Sequence, residues 1–221
     1  MTRFFDILFS FIAIIILTPF MIPIMIALKC SGEHYIFYEQ PRIGKQGKVF
    51  GLLKFATMLK DSPNLPGGLF TSENDPRMLP MGKFLRRTKI NELPQLLNIF
   101  VGQMSIIGYR PTVQQHFDGY PESAKQKLIT TRPGLSGIGS IVFRNEEEIL
   151  QNQKDKKDFH QTIIAPYKAT LEVWYIEHKS LSNYFKLIFM TVQAVLHPNS
   201  KEWRSAFKDL PPVPAELEQY I

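Results

Sequence analysis

The stretch FFDILFSFIAIIILTPFMIPIMIAL, residues 4–28, decides the architecture of this chain. It is almost uninterruptedly apolar and long enough to cross a bilayer as a helix. Thr18-Pro19 and Pro23 interrupt it near its middle, and a proline removes a backbone donor and bends a helix. We therefore expect a re-entrant membrane anchor over residues 1–29 that breaks at Thr18 and Pro19. In this arrangement the Thr18 hydroxyl bonds the carbonyls that the bend frees.

Two other interpretations of the same residues stay open. A straight transmembrane span is the first, because the run is long enough for one. Arg3 and Lys29 flank both ends, however, so the positive-inside preference selects no crossing direction and both ends can stay cytoplasmic. A cleaved signal peptide is the second, but such a peptide has a shorter apolar core and a small-residue cleavage site, which Ala27-Leu28-Lys29-Cys30 does not offer. The single cysteine excludes an intramolecular disulfide, which fits a body in the reducing cytoplasm.

Length and charge bound the part of the chain beyond the anchor. The chain has 221 residues, enough for one compact domain over residues 30–200 and a C-terminal tail over 201–221. Its net charge of +6 suits membrane lipids with anionic headgroups, phosphorylated ligands or nucleic acid. The anchor makes nucleic acid the weakest of these, so no nucleic-acid partner is expected. The sequence leaves a homo-oligomer open.

The segment after the anchor predicts a small β-hairpin. Residues 34–39 and 49–55 are rich in aromatic, β-branched and other apolar residues, and a glycine-containing turn separates them. Residues 60–76 carry proline, glycine, serine, asparagine and aspartate in quick succession, which predicts a loop. A helical pattern then runs from Gly82 to Phe100, with a boundary or kink expected near Pro94.

The C-terminal half predicts mainly helices, so the expected class is α+β. Ile163 to Leu196 carries apolar and aromatic residues at helical spacing, consistent with two amphipathic helices that meet around Ser180 to Asn183. Their aromatic faces either pack the core or lie in the membrane interface.

Three glycine-containing motifs and one charged run punctuate this half. Gly108 to Pro111, Pro133-Gly134 and Gly137 to Gly139 predict tight turns where the backbone approaches something closely, which is common in binding loops. The charges between Asn145 and Asp158 are typical of a solvated helix face or loop. We expect no function there.

The most chemically suggestive segment runs from Arg77 to Arg110. It combines one carboxylate, Glu92, with many basic side chains: Arg77, Lys83, Arg86, Arg87, Lys89 and Arg110. Arginine forks bind phosphate oxygens, and a carboxylate beside phosphates commonly recruits Mg²⁺. The segment therefore predicts a diphosphate ligand with a metal. The alternative is that the arginines hold lipid headgroups and Glu92 is a surface charge.

The same segment carries a family resemblance. Gly82 to Asn98, GKFLRRTKINELPQLLN, followed by Met104-Ser105 and Arg110-Pro111, resembles the signature of the bacterial sugar transferases, the monotopic polyprenyl-phosphate phosphoglycosyl transferases. The similarity extends to further short motifs: Phe5-Asp6, Gln40, Arg42, Gly44, Lys54-Phe55, Asp75-Pro76-Arg77 and Arg132-Pro133-Gly134.

This resemblance implies an enzyme on the cytoplasmic face of the bacterial inner membrane. Such an enzyme transfers a sugar phosphate from a nucleotide diphosphate sugar donor to a polyprenyl phosphate acceptor. In the family, the aspartate of an aspartate-glutamate pair attacks phosphorus and the glutamate helps to hold Mg²⁺, a role that falls on Glu92 here. The resemblance assigns phosphate binding to basic residues: Lys54, Arg77, Arg86, Arg87, Arg110 and Arg132.

The chain departs from the family pattern at the nucleophile. Asn91 stands at the aspartate position, and an amide is a poor nucleophile without charge for a metal. Ala56, Gln103 and Tyr109 also differ from the family, whereas Glu172 stands where an aspartate is usual and keeps its charge. Three hypotheses remain. The chain is a divergent transferase in which Glu92 or the lipid phosphate attacks the donor, a non-catalytic relative that binds donor or lipid, or a scaffold that binds neither.

Overall fold

A computed structural model describes residues 1–66, 75–151, 153–197, 200–207 and 209–221 of the protein. Part of the loop predicted at 60–76 therefore lies outside the described residues. The chain divides into two compact units. We call residues 6–41 with 51–102 the N-terminal unit, and residues 1–5 with 42–50 and 103–221 the C-terminal unit.

The fold mixes helices and strands and is 55% helical, which confirms the mainly helical α+β expectation. Its elements follow in the order α1 (Thr2–Cys30), β1 (Phe37–Ile43), β2 (Val49–Phe55), α2 (Gly82–Arg87), α3 (Gln95–Val101), β3 (Ser105–Ile107), α4 (Gln114–Asp118), α5 (Glu122–Leu128), β4 (Gly134–Ser136), α6 (Ile138–Val142), α7 (Glu146–Gln151), α8 (Lys156–Phe159), α9 (Ala165–Glu177), α10 (Leu181–Leu196) and α11 (Trp203–Ala206). A π-helical turn, His160–Ile164, leads from α8 into α9.

Helix α1 continues through both of its prolines, so the break expected at Thr18 and Pro19 does not interrupt the helix. The Thr18 hydroxyl donates to the Ile14 carbonyl at 2.6 Å. The expectation that it bonds a carbonyl freed by the proline is wrong, because Pro19 removes the donor for Ile15, four residues before it. The carbonyl freed by Pro19 is that of Ile15, whereas the Thr18 hydroxyl donates to the carbonyl of Ile14, four residues before Thr18. Within the described residues, α1 is the one helix long and apolar enough to cross a membrane.

Strands β1 and β2 form the expected antiparallel hairpin. The first strand begins at Phe37, later than the sequence predicts, because His34 has a φ of 61° and belongs to a turn. The second strand is confirmed. The Asn98 side chain of α3 donates to the Gly51 carbonyl at 2.8 Å and accepts from the Leu53 amide at 2.9 Å. The Asn98 side chain thus provides hydrogen-bond partners for two backbone groups of β2, the Gly51 carbonyl and the Leu53 amide.

The N-terminal unit has its own core and a broken helix beside it. Met21 and Leu28 of α1 pack with Phe55 and Leu85. The predicted helix from Gly82 to Phe100 is divided, since Pro94 immediately precedes α3 and confirms the expected boundary. A further break lies at Lys89, whose φ is 59°.

A short parallel pair organises the C-terminal unit. Strand β3 pairs with β4, with Ser105 opposite Gly134. A Cβ on Gly134 would lie 2.1 Å from the Gly108 nitrogen, so only glycine permits this approach. The close approach that these motifs predict is real, but at Gly134 the neighbour is the chain's own backbone.

Helices α9 and α10 confirm the two predicted helices, and the Ser180 hydroxyl caps α10 by accepting from the Asn183 amide at 3.1 Å. The predicted amphipathic character holds for α10, whereas α9 is buried or half-buried at nearly every position. Residues from both helices form the main core of the C-terminal unit. The segment 201–221 also contributes buried side chains to this core: Trp203, Phe207, Leu217 and Ile221.

Candidate active site

The predicted site residues are divided between the two units. The N-terminal unit holds Lys54, Arg77, Arg86, Arg87, Asn91 and Glu92, and the C-terminal unit holds Arg110 and Arg132.

The Arg77 guanidinium forms its hydrogen bonds with other groups of the protein. Its Nε donates to Asp75 Oδ1 at 2.8 Å and one terminal nitrogen donates to Asp75 Oδ2 at 2.6 Å, a bidentate pair. The other terminal nitrogen donates to the Ser62 carbonyl at 2.9 Å, and the residue is only 3% exposed. This geometry supports a structural role and gives no support to the expected contact with phosphate.

The remaining basic residues of the N-terminal unit are more accessible. Arg87, at the end of α2, is exposed, whereas Arg86 is half-buried and one of its terminal nitrogens lies 3.0 Å from the Met58 sulfur. Lys54 is half-buried on β2. Cations at these positions remain suited to phosphate binding.

Asn91 and Glu92 lie on a single 3₁₀ turn between α2 and α3. The left-handed conformation of Lys89 and the proline before α3 define the ends of this turn. Glu92 is half-buried, and Asn91 is only 8% exposed. The Asn91 Oδ1 atom is buried without a hydrogen-bond partner, an arrangement that costs free energy and is uncommon in folded proteins.

The backbone brings the segments of Arg110 and Arg132 together. The Gly134 amide donates to the Tyr109 carbonyl at 2.8 Å, and a Cβ on Gly108 would lie 2.6 Å from the Arg132 carbonyl oxygen, so the backbone segments that carry the two arginines are in contact. Both arginines are half-buried. The structure therefore brings the backbone segments of two predicted phosphate-binding residues together beside the β3–β4 pair.

Glu172 on α9 is the buried carboxyl of this unit. It is 2% exposed, and neither oxygen accepts a hydrogen bond of ordinary geometry. Burial raises the pKa of Glu172 to about 8, and the charges of Lys168 and Arg110 and the nearby Arg110 amide only partly offset this effect. A Cβ on Gly139 would lie 2.5 Å from Oε1, so the carboxyl packs tightly against the start of α6.

The family model for the bacterial sugar transferases matches residues 1–198. The chain therefore belongs to the bacterial sugar transferase family, as the resemblance of residues 82–98 indicates.

Characterised and uncharacterised relatives agree with this membership. The chain is 32% identical to an uncharacterized sugar transferase of Haemophilus influenzae over 88% of its own length and 41% of the relative. It is also 32% identical to the exopolysaccharide production protein ExoY of Sinorhizobium fredii, over 87% and 84% respectively. A UDP-glucose:undecaprenyl-phosphate glucose-1-phosphate transferase of Escherichia coli is 29% identical, over 85% of this chain and 38% of the relative. The chain thus spans less than half of two of these relatives and most of ExoY.

Proposed function

We propose that the protein transfers a sugar phosphate from a nucleotide diphosphate sugar, a UDP-sugar, to polyprenyl phosphate. The products are a polyprenyl-diphosphate sugar and a nucleoside monophosphate, and the step initiates assembly of a surface polysaccharide or glycoconjugate. The observation that carries the proposal is the 3₁₀ turn that presents half-buried Glu92 after α2, the helix that bears Arg86 and Arg87. The names of the relatives support the same reaction class.

Two routes are compatible with Asn91. In the first, a Glu92 carboxylate oxygen attacks the phosphorus next to the sugar, the bond to the nucleoside monophosphate breaks, and the lipid phosphate displaces Glu92 in a second step. In the second, a lipid phosphate oxygen attacks the same phosphorus directly. Arg86 and Arg87 offset phosphate charge in either route.

Magnesium belongs to the proposal through Glu92. Among the described residues, no three His, Cys, Asp or Glu side chains gather as a metal cage. Mg²⁺ is commonly held by one or two carboxylates together with substrate phosphates and water, so Glu92 beside the unpartnered Asn91 oxygen fits such an ion. When bound, the ion would neutralise charge on the diphosphate.

The location of the reaction is also proposed. The exposed apolar side chains of α1, among them Phe11, Ile15 and Phe20, suit the bilayer interior, and those of α10, among them Phe185 and Phe189, suit its interface. We place the body on the cytoplasmic face of the inner membrane, with α1 re-entrant at Thr18 and Pro19. A Pro19→Ala variant should let α1 straighten toward a full span. Unchanged accessibility of a tag at the N-terminus to impermeant reagents would count against the re-entrant form.

Nucleoside monophosphate release tests the reaction. The purified protein is assayed in detergent with a panel of UDP-sugars, Mg²⁺ and undecaprenyl phosphate. Release should depend on the lipid and be lost in Glu92→Gln, while Glu216→Gln, the same change at an exposed carboxylate, keeps it. Retained turnover in Glu92→Gln would remove the assigned role of Glu92.

The second candidate function is non-catalytic binding of donor or lipid. Asn91 favours it, because an uncharged amide occupies the family's nucleophile position. A folded protein that binds a UDP-sugar or undecaprenyl phosphate, yet releases no nucleoside monophosphate with any donor, would establish this alternative.

A further inference from the structure

An ion-pair cluster lies where the sequence predicts only a solvated charged face. Lys168 Nζ on α9 lies 2.5 Å from Glu146 Oε2 at the start of α7. His160 Nε2, in the π-helical turn, lies 3.3 Å from the other oxygen of Glu146. The Lys168 side chain is only 11% exposed. Three separate elements are therefore joined through one carboxylate.

Lys168 acts on two carboxyl groups, those of Glu146 and Glu172, but it forms an ion pair only with Glu146. Glu172 follows it by one turn on the same helix, so both side chains lie on one face. Lys168 and His160 hold the pKa of Glu146 below its usual range despite burial. Glu172 receives no ion pair of this kind, and its burial dominates.

The other groups that face Glu172 do not replace Lys168. Arg110 approaches from the segment after β3. Tyr109 and Tyr120 are uncharged at neutral pH, and burial raises the pKa of both phenols further. Helix α6 presents the glycine backbone at Gly139. The charges of α5 pair elsewhere, as Lys125 with Glu122 and Lys127 with Glu177. At the far side of the cluster, the ring of His116 lies 5.5 Å from that of His160.

We propose that Glu146 is a positioning residue that holds Lys168 away from Glu172 and so keeps Glu172 able to carry a proton beside Arg110. An ionised Glu172 offsets part of the positive charge of Arg110, whereas an uncharged Glu172 does not, so protonation of Glu172 strengthens the attraction of this segment for phosphate oxygens. Only this consequence for phosphate binding rests on the proposed function. We call the ion pair by which Glu146 holds Lys168 the clamp. It is supported by the geometry of the C-terminal unit alone.

The clamp is tested by the titration of Glu172 in the full-length protein in micelles. Carboxyl-¹³C glutamate NMR follows it, with Glu172→Gln to assign the signal. Glu146→Gln should lower the pKa of Glu172, because Lys168 is released toward it, and Lys168→Met should raise it. In the Lys168→Met background, Glu146→Gln should lose most of its effect. Asp158→Asn, an equal charge loss at an exposed site of the same segment, should change nothing.

Two results overturn the clamp. One is an unchanged Glu172 titration in both single variants with intact circular dichroism spectra. The other is an equal effect of Glu146→Gln with and without Lys168, which would show that Glu146 acts directly on Glu172.

The functional consequence has its own readout. In Glu146→Gln, the rise of KM for the UDP-sugar at alkaline pH should begin at a lower pH, with kcat nearly unchanged. If NMR shows the clamp and the enzyme is active, but the KM profile of Glu146→Gln does not shift, the proposed effect of Glu172 on phosphate binding by Arg110 is overturned. Absence of turnover in the wild type would count against the proposed function alone, because the NMR result decides the clamp without activity.

Discussion

Two buried carboxyl groups, one in each unit, have opposite surroundings. Asp75 in the N-terminal unit binds Arg77 through both carboxylate oxygens, and Ser62 accepts a further bond from the arginine. Glu172 in the C-terminal unit is equally buried, but no hydrogen bond of ordinary geometry reaches its oxygens. A buried charge with complete partners stabilises the fold around it, whereas one without them keeps an altered proton affinity. Such groups are enriched at functional sites.

The largest expected effect comes from breaking the completed pair. Arg77→Leu leaves Asp75 buried without its partner and should lower the free energy of unfolding by about 3 to 5 kcal/mol. Denaturant unfolding in detergent measures this loss. Arg87→Leu, at an exposed position on α2, is the control. A cost below about 1 kcal/mol for Arg77→Leu would remove the contrast between the two units.

The unpartnered amide of Asn91 allows a second test. Asn91→Asp supplies the family's nucleophile and should raise nucleoside monophosphate release on the order of 100-fold, the scale on which single catalytic groups act. It also places a charge at a buried position, so Mg²⁺ should raise the melting temperature of this variant more than that of the wild type. No gain in activity would leave direct attack by the lipid phosphate or a binding role.

The third test neutralises Glu172. Its folded-state pKa of about 8 lies above the usual 4.5, so the folded state binds more protons in this window and stability falls as pH rises through it. Glu172→Gln removes this dependence and should gain roughly 2 to 3 kcal/mol relative to the wild type between pH 5 and pH 7. Unfolding curves at the two pH values measure it. A parallel pH dependence in both proteins would show that Glu172 is not the titrating group.

The smallest effect is expected at Tyr109, whose hydroxyl is buried without a hydrogen-bond partner. Tyr109→Phe removes that unsatisfied group and should change stability by less than about 1 kcal/mol, with stabilisation the expected sign. Thermal unfolding in detergent detects it. A clear loss of stability would mean that the hydroxyl has a partner in the folded protein, which would weaken the contrast drawn from Glu172.

Local signals predicted the elements whose cause is local. Residues 49–55 form β2 as expected, two helices meet near Ser180, whose side chain caps α10, and Pro94 precedes α3. Each depends on alternation, a side-chain cap or a missing amide within a few residues. The break at Lys89 escaped prediction because lysine carries no preference for the left-handed conformation.

Features that depend on distant residues could not be predicted in this way. Strands β3 and β4 are three residues each, too short for a periodic pattern, and pair across a long separation in sequence. The position of Glu146 against Lys168 arises only when α7 packs near α9. The motif predicted the candidate residues of the site, but their pairing decides their roles, as Arg77 shows. Glu172 had two signals in the sequence: its position where the family usually has aspartate, and a charge among the apolar residues of 163–196.

The side chain of Asn98 has a consequence for solubility. A two-stranded sheet offers unpaired edges, and such edges invite strands from other molecules. Asn98 satisfies the Gly51 carbonyl and the Leu53 amide, which makes this stretch of β2 unattractive to an incoming strand. One asparagine thus protects this stretch of the hairpin against edge-to-edge aggregation.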